Sequence, residues 1–320
     1  MKNKLKLAGA IVVAGSLLAA CSGTGKDDAS DEKTKDLTYA VITHSSSGDA
    51  FWDRVKSGAE KAGDDYGVKV EYSSDPDPAK QSQLIDGAVA DKVDGIVVSM
   101  ANPDGLEDSI KKAVAAGVPV VTINSGVDKF KEFGAITHIG QTETIAGEAV
   151  GERLKGEGLK KGVCVIQEAG NIGLEERCKA VAATFGGTMT NLQVDGTDDS
   201  AVQATITSKL QAEKDIDVVL TLGGQYAIDA VGSVEESGSS AKIATFDLSE
   251  DVIKDIQSGK ILFAVDQQPY VQGFLGVTTL YLKDINGNDV GGGQPINSGP
   301  AFITKDNADA VLKFAANGTR

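Results

Sequence analysis

The chain has 320 residues, 41% hydrophobic, 24% charged and 5% aromatic, an ordinary globular composition that excludes wholesale disorder and a collagen-like repeat. Because 31 Lys and Arg face 46 Asp and Glu, the net charge is −15; most of this surface would repel a nucleic acid, and we expect no nucleic-acid partner. Two His and three Cys are too few for a His-rich metal site or a dense disulfide scaffold.

The first predicted element is a secretory signal peptide over residues 1–20. Three Lys in the first six residues precede an apolar run, Leu7–Ala20, which is too short to span a bilayer comfortably as a permanent helix. The run ends in Leu-Ala-Ala-Cys, which resembles a bacterial lipobox, a signal in which the Cys thiol is diacylated. We therefore expect lipidation of Cys21 and anchoring to the outer face of the cell membrane, or to the periplasmic side in a two-membrane bacterium. A signal anchor with a chance Cys is the alternative.

The segment after the lipobox is predicted to be a flexible tether over residues 21–36. From Ser22 to Asp36 it contains no large apolar side chain. Such a segment cannot bury enough surface to offset the entropy lost on ordering. It would connect the lipid to the folded body.

From Leu37 onward the chain is predicted to alternate strands and helices. Short β-branched runs are followed by stretches whose apolar residues recur every three or four positions. The strands are nearly continuous apolar runs, as expected for parallel strands covered on both faces, so the predicted fold class is α/β and doubly wound. The predicted strands are Thr38–Thr43, Val68–Tyr72, Gly95–Ser99, Pro119–Ile123, Thr137–Gly140, Val163–Gln167, Asn191–Val194, Asp217–Leu222, Lys242–Phe246 and Ile261–Val265. The predicted helices include Phe51–Tyr66, Ala79–Ala90 and Ala201–Ala212.

A coarse internal duplication predicts two similar lobes. Two pairs of segments are alike: Val93–Val98 with Ile216–Leu220, and Val118–Asn124 with Ala241–Asp247. Each half thus places a short polar side chain, Asn124 or Asp247, just past the carboxyl end of an equivalent strand. Ligands bind at that edge in open α/β sheets, so two lobes facing each other would bring both residues to one cleft.

Six motifs in this order, at this spacing, carry a resemblance to a known family. They are Gly48-Asp49-Ala50-Phe51-Trp52, Asp94-Gly95-Ile96, Gly117-Val118-Pro119-Val120-Val121 with Asn124-Ser125, Glu176-Arg177-Cys178, Phe246-Asp247, and Asp266-Gln267-Gln268-Pro269-Tyr270-Val271-Gln272-Gly273. From Leu37 to Asn307 the chain resembles the type I periplasmic, or solute-binding, proteins of ABC sugar transporters, in the ribose/galactose group. The resemblance implies a ligand cleft between two doubly wound parallel-sheet lobes, joined by a hinge of crossover segments near Gly140, Gln267 and Gly299-Pro300. The expected lobes are residues 37–140 with 268–299, and residues 141–267 with 300–320.

The first motif supplies three candidate ligand-binding residues. Phe51 leads into an apolar stripe through Val55, whereas Trp52 leads toward Lys56. The residues alone leave two alternatives open: Phe51 in the core with Trp52 as a partly exposed cap, or an aromatic face that stacks on the C–H surface of a sugar ring. The resemblance implies that both aromatic rings contact a sugar. Asp49 either caps the following helix or accepts hydrogen bonds from sugar hydroxyls.

Four further candidates come from the later motifs. Asn124 and Asp247 either form turns or offer hydrogen-bond partners to a buried sugar. Arg177 either pairs on the surface with Glu175 or Glu176 or, as the resemblance implies, donates two hydrogen bonds to sugar oxygens. Gln267 is the fourth, as a ligand amide at the crossover. Outside these four, Glu168 and Asn171 either face the cleft or build a turn, and His44, at the start of the first loop, is either a cleft residue or an ordinary surface or turn residue.

The chain departs from the ribose-type pattern at two places. Asn124-Ser125 stands where that pattern has Asp-Arg, which removes a forked donor. Gly223-Gly224 stands where it has an Asn, so that contact is lost or replaced by backbone or Gln225, and the freed space would admit a larger ligand. These departures make plain ribose a less certain ligand.

The two exported Cys, Cys164 and Cys178, are either buried thiols or a disulfide. One lies on a predicted strand and the other on the next helix, and an oxidising compartment favours the bond.

The expected function is capture of a monosaccharide or cyclitol by hinge closure and delivery to an ABC permease, by a monomer without cofactor or metal. An enzyme is not expected, because no dinucleotide or phosphate-loop motif and no Gly-x-Ser-x-Gly elbow occurs. A transcription regulator would need a DNA-binding helix-turn-helix, which the signal peptide and the acidic charge argue against. A sugar sensor feeding a chemoreceptor or kinase, or a binder of a non-sugar polar ligand, remains the alternative.

Overall fold

The computed structural model describes residues 36–46 and 48–320. The predicted signal peptide, Cys21 and all but the last residue of the predicted tether lie outside these residues. In the described part, the chain forms two lobes, each built on a six-stranded sheet whose two faces are covered by separate apolar cores. This confirms the doubly wound α/β fold, with two similar lobes, that the sequence predicts.

The amino-terminal lobe has the strand order β11-β5-β4-β3-β1-β2, with every pair parallel. Its strands are β1 (Thr38–Thr43), β2 (Lys69–Ser74), β3 (Gly95–Ser99), β4 (Val120–Ile123), β5 (His138–Gly140) and β11 (Ile296–Asn297). The helices that pack on it are α1 (Ala50–Tyr66), α2 (Pro78–Ala90), α3 (Pro103–Ala115), α4 (Phe130–Phe133) and α10 (Pro269–Asn286).

The carboxy-terminal lobe repeats this order as β12-β10-β9-β8-β6-β7, with an antiparallel strand at the β12 edge. Its strands are β6 (Lys161–Ile166), β7 (Thr188–Gln193), β8 (Val218–Thr221), β9 (Lys242–Phe246), β10 (Ile261–Asp266) and β12 (Ala301–Ile303). Its helices are α5 (Glu143–Gly156), α6 (Ile172–Thr184), α7 (Asp199–Ala212), α8 (Gly224–Ser237), α9 (Glu250–Ser258) and α11 (Ala308–Ala316).

Within the described residues the chain passes between the sheets three times, after β5, after β10 and between β11 and β12. The last crossing contains the cis peptide bond Gly299–Pro300. Each of the first two crossings delivers a helix to the other lobe: α5 packs on α6, and α10 packs on α1. The lobes are therefore joined by three crossover segments that run side by side.

Glycines allow these two helix pairs to approach closely. A Cβ added at Gly273 on α10 would lie 1.9 Å from the carbonyl oxygen of Val55, and one at Gly147 on α5 would lie 2.5 Å from that of Arg177. The backbones therefore meet where a side chain would otherwise stand. Because α1 and α6 also carry cavity residues, this close packing positions the site.

All ten predicted strands are present, with bounds shifted by at most a few residues. The short strands β11 and β12 were not predicted, because two or three residues show no periodicity to detect. None of the helices in the described part of the chain has the length and apolar composition needed to cross a bilayer.

Candidate functional site

A cavity of about 330 Å³ lies between the two lobes at the carboxyl ends of their central strands. All seven residues that the sequence nominates for ligand binding line it: Asp49, Phe51, Trp52, Asn124, Arg177, Asp247 and Gln267. The first four come from one lobe and its strand ends, and the others come from the second lobe or the crossover. A chamber built from both lobes and lined by a mixed set of polar and aromatic groups suits a small polar ligand.

The two aromatic residues exchange the positions expected from the apolar stripe. Trp52 is 4% exposed and belongs to the core with Val55, whereas Phe51 is only partly buried. The alternative of Phe51 in the core and a partly exposed Trp52 is therefore wrong. Trp52 lies three residues before Val55 on α1, and residues three apart lie on one helix face, as residues four apart do. Both rings still line the cavity, edge to face at 5.0 Å between centroids.

Asp49 both caps α1 and faces the cavity. Its side chain accepts a hydrogen bond of 2.9 Å from the amide of Phe51, which leaves carboxylate capacity directed at the chamber. The pKa of Asp49 is raised to about 6. Burial is the main cause, the nearby Glu168 carboxylate acts in the same direction, and the capping hydrogen bonds act to lower it.

Asn124 and Asp247 occupy equivalent positions in the two lobes. Each follows a fourth strand, β4 or β9, and each has a left-handed backbone, with φ of 65° and 69°. Each donates its backbone amide to the next strand, Asn124 to the Ile139 carbonyl at 3.0 Å and Asp247 to the Val265 carbonyl at 2.8 Å. The duplicated sequence thus becomes a pair of matching turns that place one polar side chain on each wall.

Asp247 and Gln267 are joined across the deepest part of the chamber. The Gln267 amide donates a 2.7 Å hydrogen bond to Asp247 Oδ1, and the two side chains are 2% and 9% exposed, with Gln267 the more buried. Burial raises the pKa of Asp247 to about 7, while Arg177 and the Gln267 bond act to lower it. Asp247 can therefore accept or donate a hydrogen bond near neutral pH.

Arg177 is buried and paired with a residue that the sequence analysis did not consider. Its Nε and Nη2 donate to Glu143 at 2.6 and 2.9 Å, and Nη2 also lies 3.3 Å from Gln267 Oε1. The alternative of a surface pair with Glu175 or Glu176 is wrong, because Arg177 is 3% exposed and points inward. Its guanidinium also lies 4.3 Å from the centroid of the Phe246 ring.

One nitrogen of Arg177 remains for a ligand. Nη1 is buried and has no hydrogen-bond partner among the described residues, and the side chain lines the cavity. Because Glu143 takes Nε and one hydrogen of Nη2, the two-bond donation that the resemblance implies falls to Nη1.

Several further residues line the cavity without having been nominated as binders, or only as open alternatives. They are His44, Ser125, Gln167, Glu168, Asn171, Leu174 and Tyr226, among others. The duplication could have found some of them. The registers of β1 with β3 and of β6 with β8 make His44 equivalent to Gln167, and both follow a first strand.

His44 is held by the first lobe and reaches the second. Its Nδ1 lies 2.7 Å from Ser99 Oγ, and its Nε2 lies 3.8 Å from Glu168 Oε2. Burial lowers the pKa of His44 to about 3, so its ring is neutral at physiological pH and the contact with Glu168 is not an ion pair.

Tyr226 occupies the space beside Gly223. A Cβ at Gly223 would lie 3.0 Å from the ring of Tyr226, which fills the volume and donates its hydroxyl to the Gly196 carbonyl at 3.1 Å. The expectation that this departure enlarges the chamber is wrong, since a side chain three residues later occupies it.

The lobes contact each other directly beside the cavity. The amide of Ile172, at the start of α6, donates a 3.1 Å hydrogen bond to the carbonyl of Ala101, which follows β3. Next to it, a Cβ added at Gly173 would lie 3.1 Å from Ser125 Oγ. The structure is therefore a closed one, with the chamber covered by both lobes.

The sulfurs of Cys164 and Cys178 are bonded to each other. The bond ties β6 to α6, one residue after Arg177. Among residues 36–46 and 48–320, no three His, Cys, Asp or Glu side chains come together as metal ligands.

Comparison with known proteins follows the same pattern. A model of the periplasmic binding protein domain family matches residues 39–287. A carbohydrate transporter from Acidothermus cellulolyticus 11B, solved in complex with myo-inositol, is 47% identical; the match covers 89% of this chain and 99% of that one, with a TM-score of 0.88.

Two curated relatives are more distant. The ribose import binding protein of Haemophilus influenzae is 28% identical over 72% of this chain and 80% of its own length. The xylose/arabinose-binding protein of Sulfolobus acidocaldarius is 25% identical over 71% of this chain and 61% of its own, so this chain spans less than two thirds of that relative.

Proposed function

The chain belongs to the periplasmic binding protein domain family, whose members bind substrates for transporters and are not enzymes, and from this premise we propose that it captures a cyclitol, with myo-inositol as the first candidate, for an ABC importer. The observation that carries the proposal is the 47% identity, over nearly the whole folded chain, to a carbohydrate transporter that holds myo-inositol. Monosaccharides are the next ligand class, because more distant relatives are named for ribose, xylose and arabinose.

The chamber has the groups that a cyclic polyol needs. Asp49, Asn124 and Asp247 offer acceptors on both walls, and Arg177 Nη1 offers a donor. The Trp52 and Phe51 rings, packed edge to face, supply an apolar surface for the C–H face of a ligand ring. A ligand of alternating hydroxyls and C–H groups would satisfy both kinds of wall.

Hinge closure is the proposed mechanism. The proposed lobes are residues 37–140 with 268–299 and residues 141–267 with 300–320, moving about the three crossings. Because the polar groups come from both lobes, a ligand contacts them all only in the closed form and so shifts the population toward it. The closed form would then dock on the permease.

We further propose that the protein works as a monomer tethered outside the cytoplasm by lipid on Cys21. The basis is the signal-like run over residues 1–20 and the lipobox-like Leu-Ala-Ala-Cys that ends it.

The test uses the single tryptophan, Trp52, which lines the cavity. The purified, ligand-free protein is titrated with myo-inositol, other inositols, ribose, xylose, arabinose, glucose and galactose, while emission and thermal unfolding are followed. We expect a saturable emission change with an inositol, and a stabilisation of about 2.7 kcal/mol at a ligand concentration of 100 times Kd.

The matched control is Asp53→Asn, on the exposed side of α1 and outside the cavity, which should bind as the native protein does. A stronger response to a pentose or hexose would reassign the ligand within the sugar class. Silence in both signals across the whole panel would refute sugar or cyclitol binding.

A further inference from the structure

The chamber contains more negative charge than its cation balances. Asp49 enters from the first lobe, and Glu168 and Asp247 enter from the second. Arg177 is the cation among them, but its charge is already committed to Glu143, which is 2% exposed and lies behind the cavity wall. Three carboxyl groups therefore face the ligand, whereas the charge of the Arg177 guanidinium is balanced by Glu143 on the side away from the cavity.

The rim repeats this imbalance. Asp199 and Asp251, which line the cavity and are exposed, define this rim, where the cations are Arg54 and Arg320, and Asp229 lies further in with one buried oxygen. Arg320 is held by Asp266 at 2.5 Å, and Arg54 donates to the carbonyls of Ala50 and Arg320. A ligand approaching the chamber therefore meets a negative potential both at the rim and inside.

Atoms left without partners in the wall also require donors from the ligand. Gln167 Oε1 and Asp229 Oδ2 are buried acceptors with no hydrogen bond among the described residues, and Arg177 Nη1 is the buried donor. Gln167 lies beside the carboxylates, at the end of β6 next to Glu168. These two buried oxygens need donors from the ligand, and an ammonium group, which only donates, can satisfy them, whereas a group that only accepts cannot.

The facing carboxylates give the ammonium a specific position. Asp49 and Glu168 line the cavity from opposite lobes, and the Glu168 carboxylate is close enough to raise the pKa of Asp49. Glu168 is further placed by a 2.7 Å hydrogen bond from Asn171 Nδ2. Closure brings like charges together, and a cation between them would relieve the repulsion.

We propose that this chamber also binds cyclic polyols in which an ammonium replaces a hydroxyl, such as aminocyclitols, seated between Asp49 and Glu168, and that it rejects polyols carrying a phosphate or carboxylate. The proposal rests on the proposed function, because it assumes the same polyol site. It adds to that function the charge class of the ligands that the site selects.

The experiment compares ligands on one ring. Isothermal titration of the full purified chain uses myo-inositol, a set of inosamines differing in the position of the ammonium, and an inositol monophosphate. We expect at least one inosamine to bind as tightly as myo-inositol or more tightly, and the monophosphate to bind at least a hundredfold more weakly.

Variants then locate the charge. Asp49→Asn and Glu168→Gln should each weaken inosamine binding at least tenfold more than they weaken myo-inositol binding. Asp64→Asn, exposed near the carboxyl end of α1, removes the same charge outside the cavity and should change neither.

The outcomes separate the two proposals. If myo-inositol binds while every inosamine binds at least a hundredfold more weakly, the charge proposal is overturned and the proposed function stands. Tight binding of the monophosphate would also overturn it. If no inositol, inosamine or monosaccharide binds to folded protein, the proposed function itself fails.

Discussion

Asn124 and Asp247 show how single residues carry the site. Both adopt a left-handed backbone that non-glycine residues rarely take, although Asn and Asp tolerate it better than most. The conformation turns the chain at the carboxyl end of β4 or β9 and directs a polar side chain into the cleft. A short polar residue after a buried strand is the local signal that predicted both positions.

Burial of Asp247 makes a pH-dependent contribution to stability. Its pKa rises from 3.8 to about 7 on folding because of desolvation, with Asp49 and Asp266 adding to the rise and Arg177 opposing it. Between about pH 4 and 7 the folded protein therefore holds a proton that the unfolded chain has released. This contribution to the free energy of unfolding falls as pH rises through that window, and above it the charged carboxylate destabilises the fold.

We predict that Asp247→Asn stabilises the ligand-free protein at pH 8 and not at pH 4. The amide removes the buried charge and keeps an oxygen that accepts from Gln267, so the gain at pH 8 should be on the order of 1–4 kcal/mol. Urea unfolding of both proteins at the two pH values measures it. Both proteins contain the buried His44, so the effect of its titration on stability cancels in the comparison. An equal difference in the free energy of unfolding at both pH values would contradict the prediction.

At the scale of elements, α6 carries Arg177 and Leu174 into the second wall of the cavity. Its N-cap residue Asn171 accepts from the amides of Gly173 and Leu174, and its second turn carries Arg177. The disulfide from Cys178 ties it to β6, and the ion pair with Glu143 ties it to α5. These two capping hydrogen bonds, the disulfide and the ion pair thus fix a helix whose residues Leu174 and Arg177 line the cavity.

We predict that Glu143→Gln lowers the free energy of unfolding by about 3–5 kcal/mol, because it leaves the Arg177 guanidinium buried without its counter-charge. The matched control Glu175→Gln changes an exposed carboxylate on α6 and should stay within about 0.5 kcal/mol of the native value. Chemical denaturation of the ligand-free proteins measures both. A loss below about 1 kcal/mol for Glu143→Gln would mean that Arg177 finds another partner or water.

At the scale of the whole molecule, the closed state depends on direct contact between the lobes. The Ile172–Ala101 backbone bond and the close approach of Gly173 to Ser125 lie beside the chamber, and neither involves a ligand. In the proposed hinge closure these contacts would form as the lobes meet, and they would set how far the lobes approach and how much of the ligand's binding energy closure requires.

We predict that Gly173→Val weakens ligand binding by about tenfold to a hundredfold, because its side chain would meet Ser125 before the lobes close. The control Gly87→Val adds the same side chain on the exposed face of α2, where no atom lies within 4 Å of the new Cβ, and should bind normally. Titration with the ligand identified above, with unfolding of the ligand-free variants, separates closure from folding. Native affinity in Gly173→Val would contradict the prediction, because it would show that the bound state does not need the close approach of Gly173 to Ser125.

The sequence by itself determined the fold class, the number of lobes and the edge at which the ligand is expected. These depend on local patterns: apolar runs for strands, a period of three to four for helices, and a polar residue after a strand. The seven nominated residues all line the cavity because strand ends of a parallel sheet share one edge.

Only the tertiary structure decided which groups pair and which remain free. Arg177 bonds Glu143, 34 residues away, rather than its neighbours Glu175 and Glu176, since α5 crosses to the second lobe and delivers Glu143 to the buried side of α6. The sequence contains the three-residue spacing that puts Trp52 on one face of α1 with Val55, but the burial of that face depends on the distant helix α10 that packs on it. Burial and pairing depend on which distant segments meet, and no local pattern contains that information.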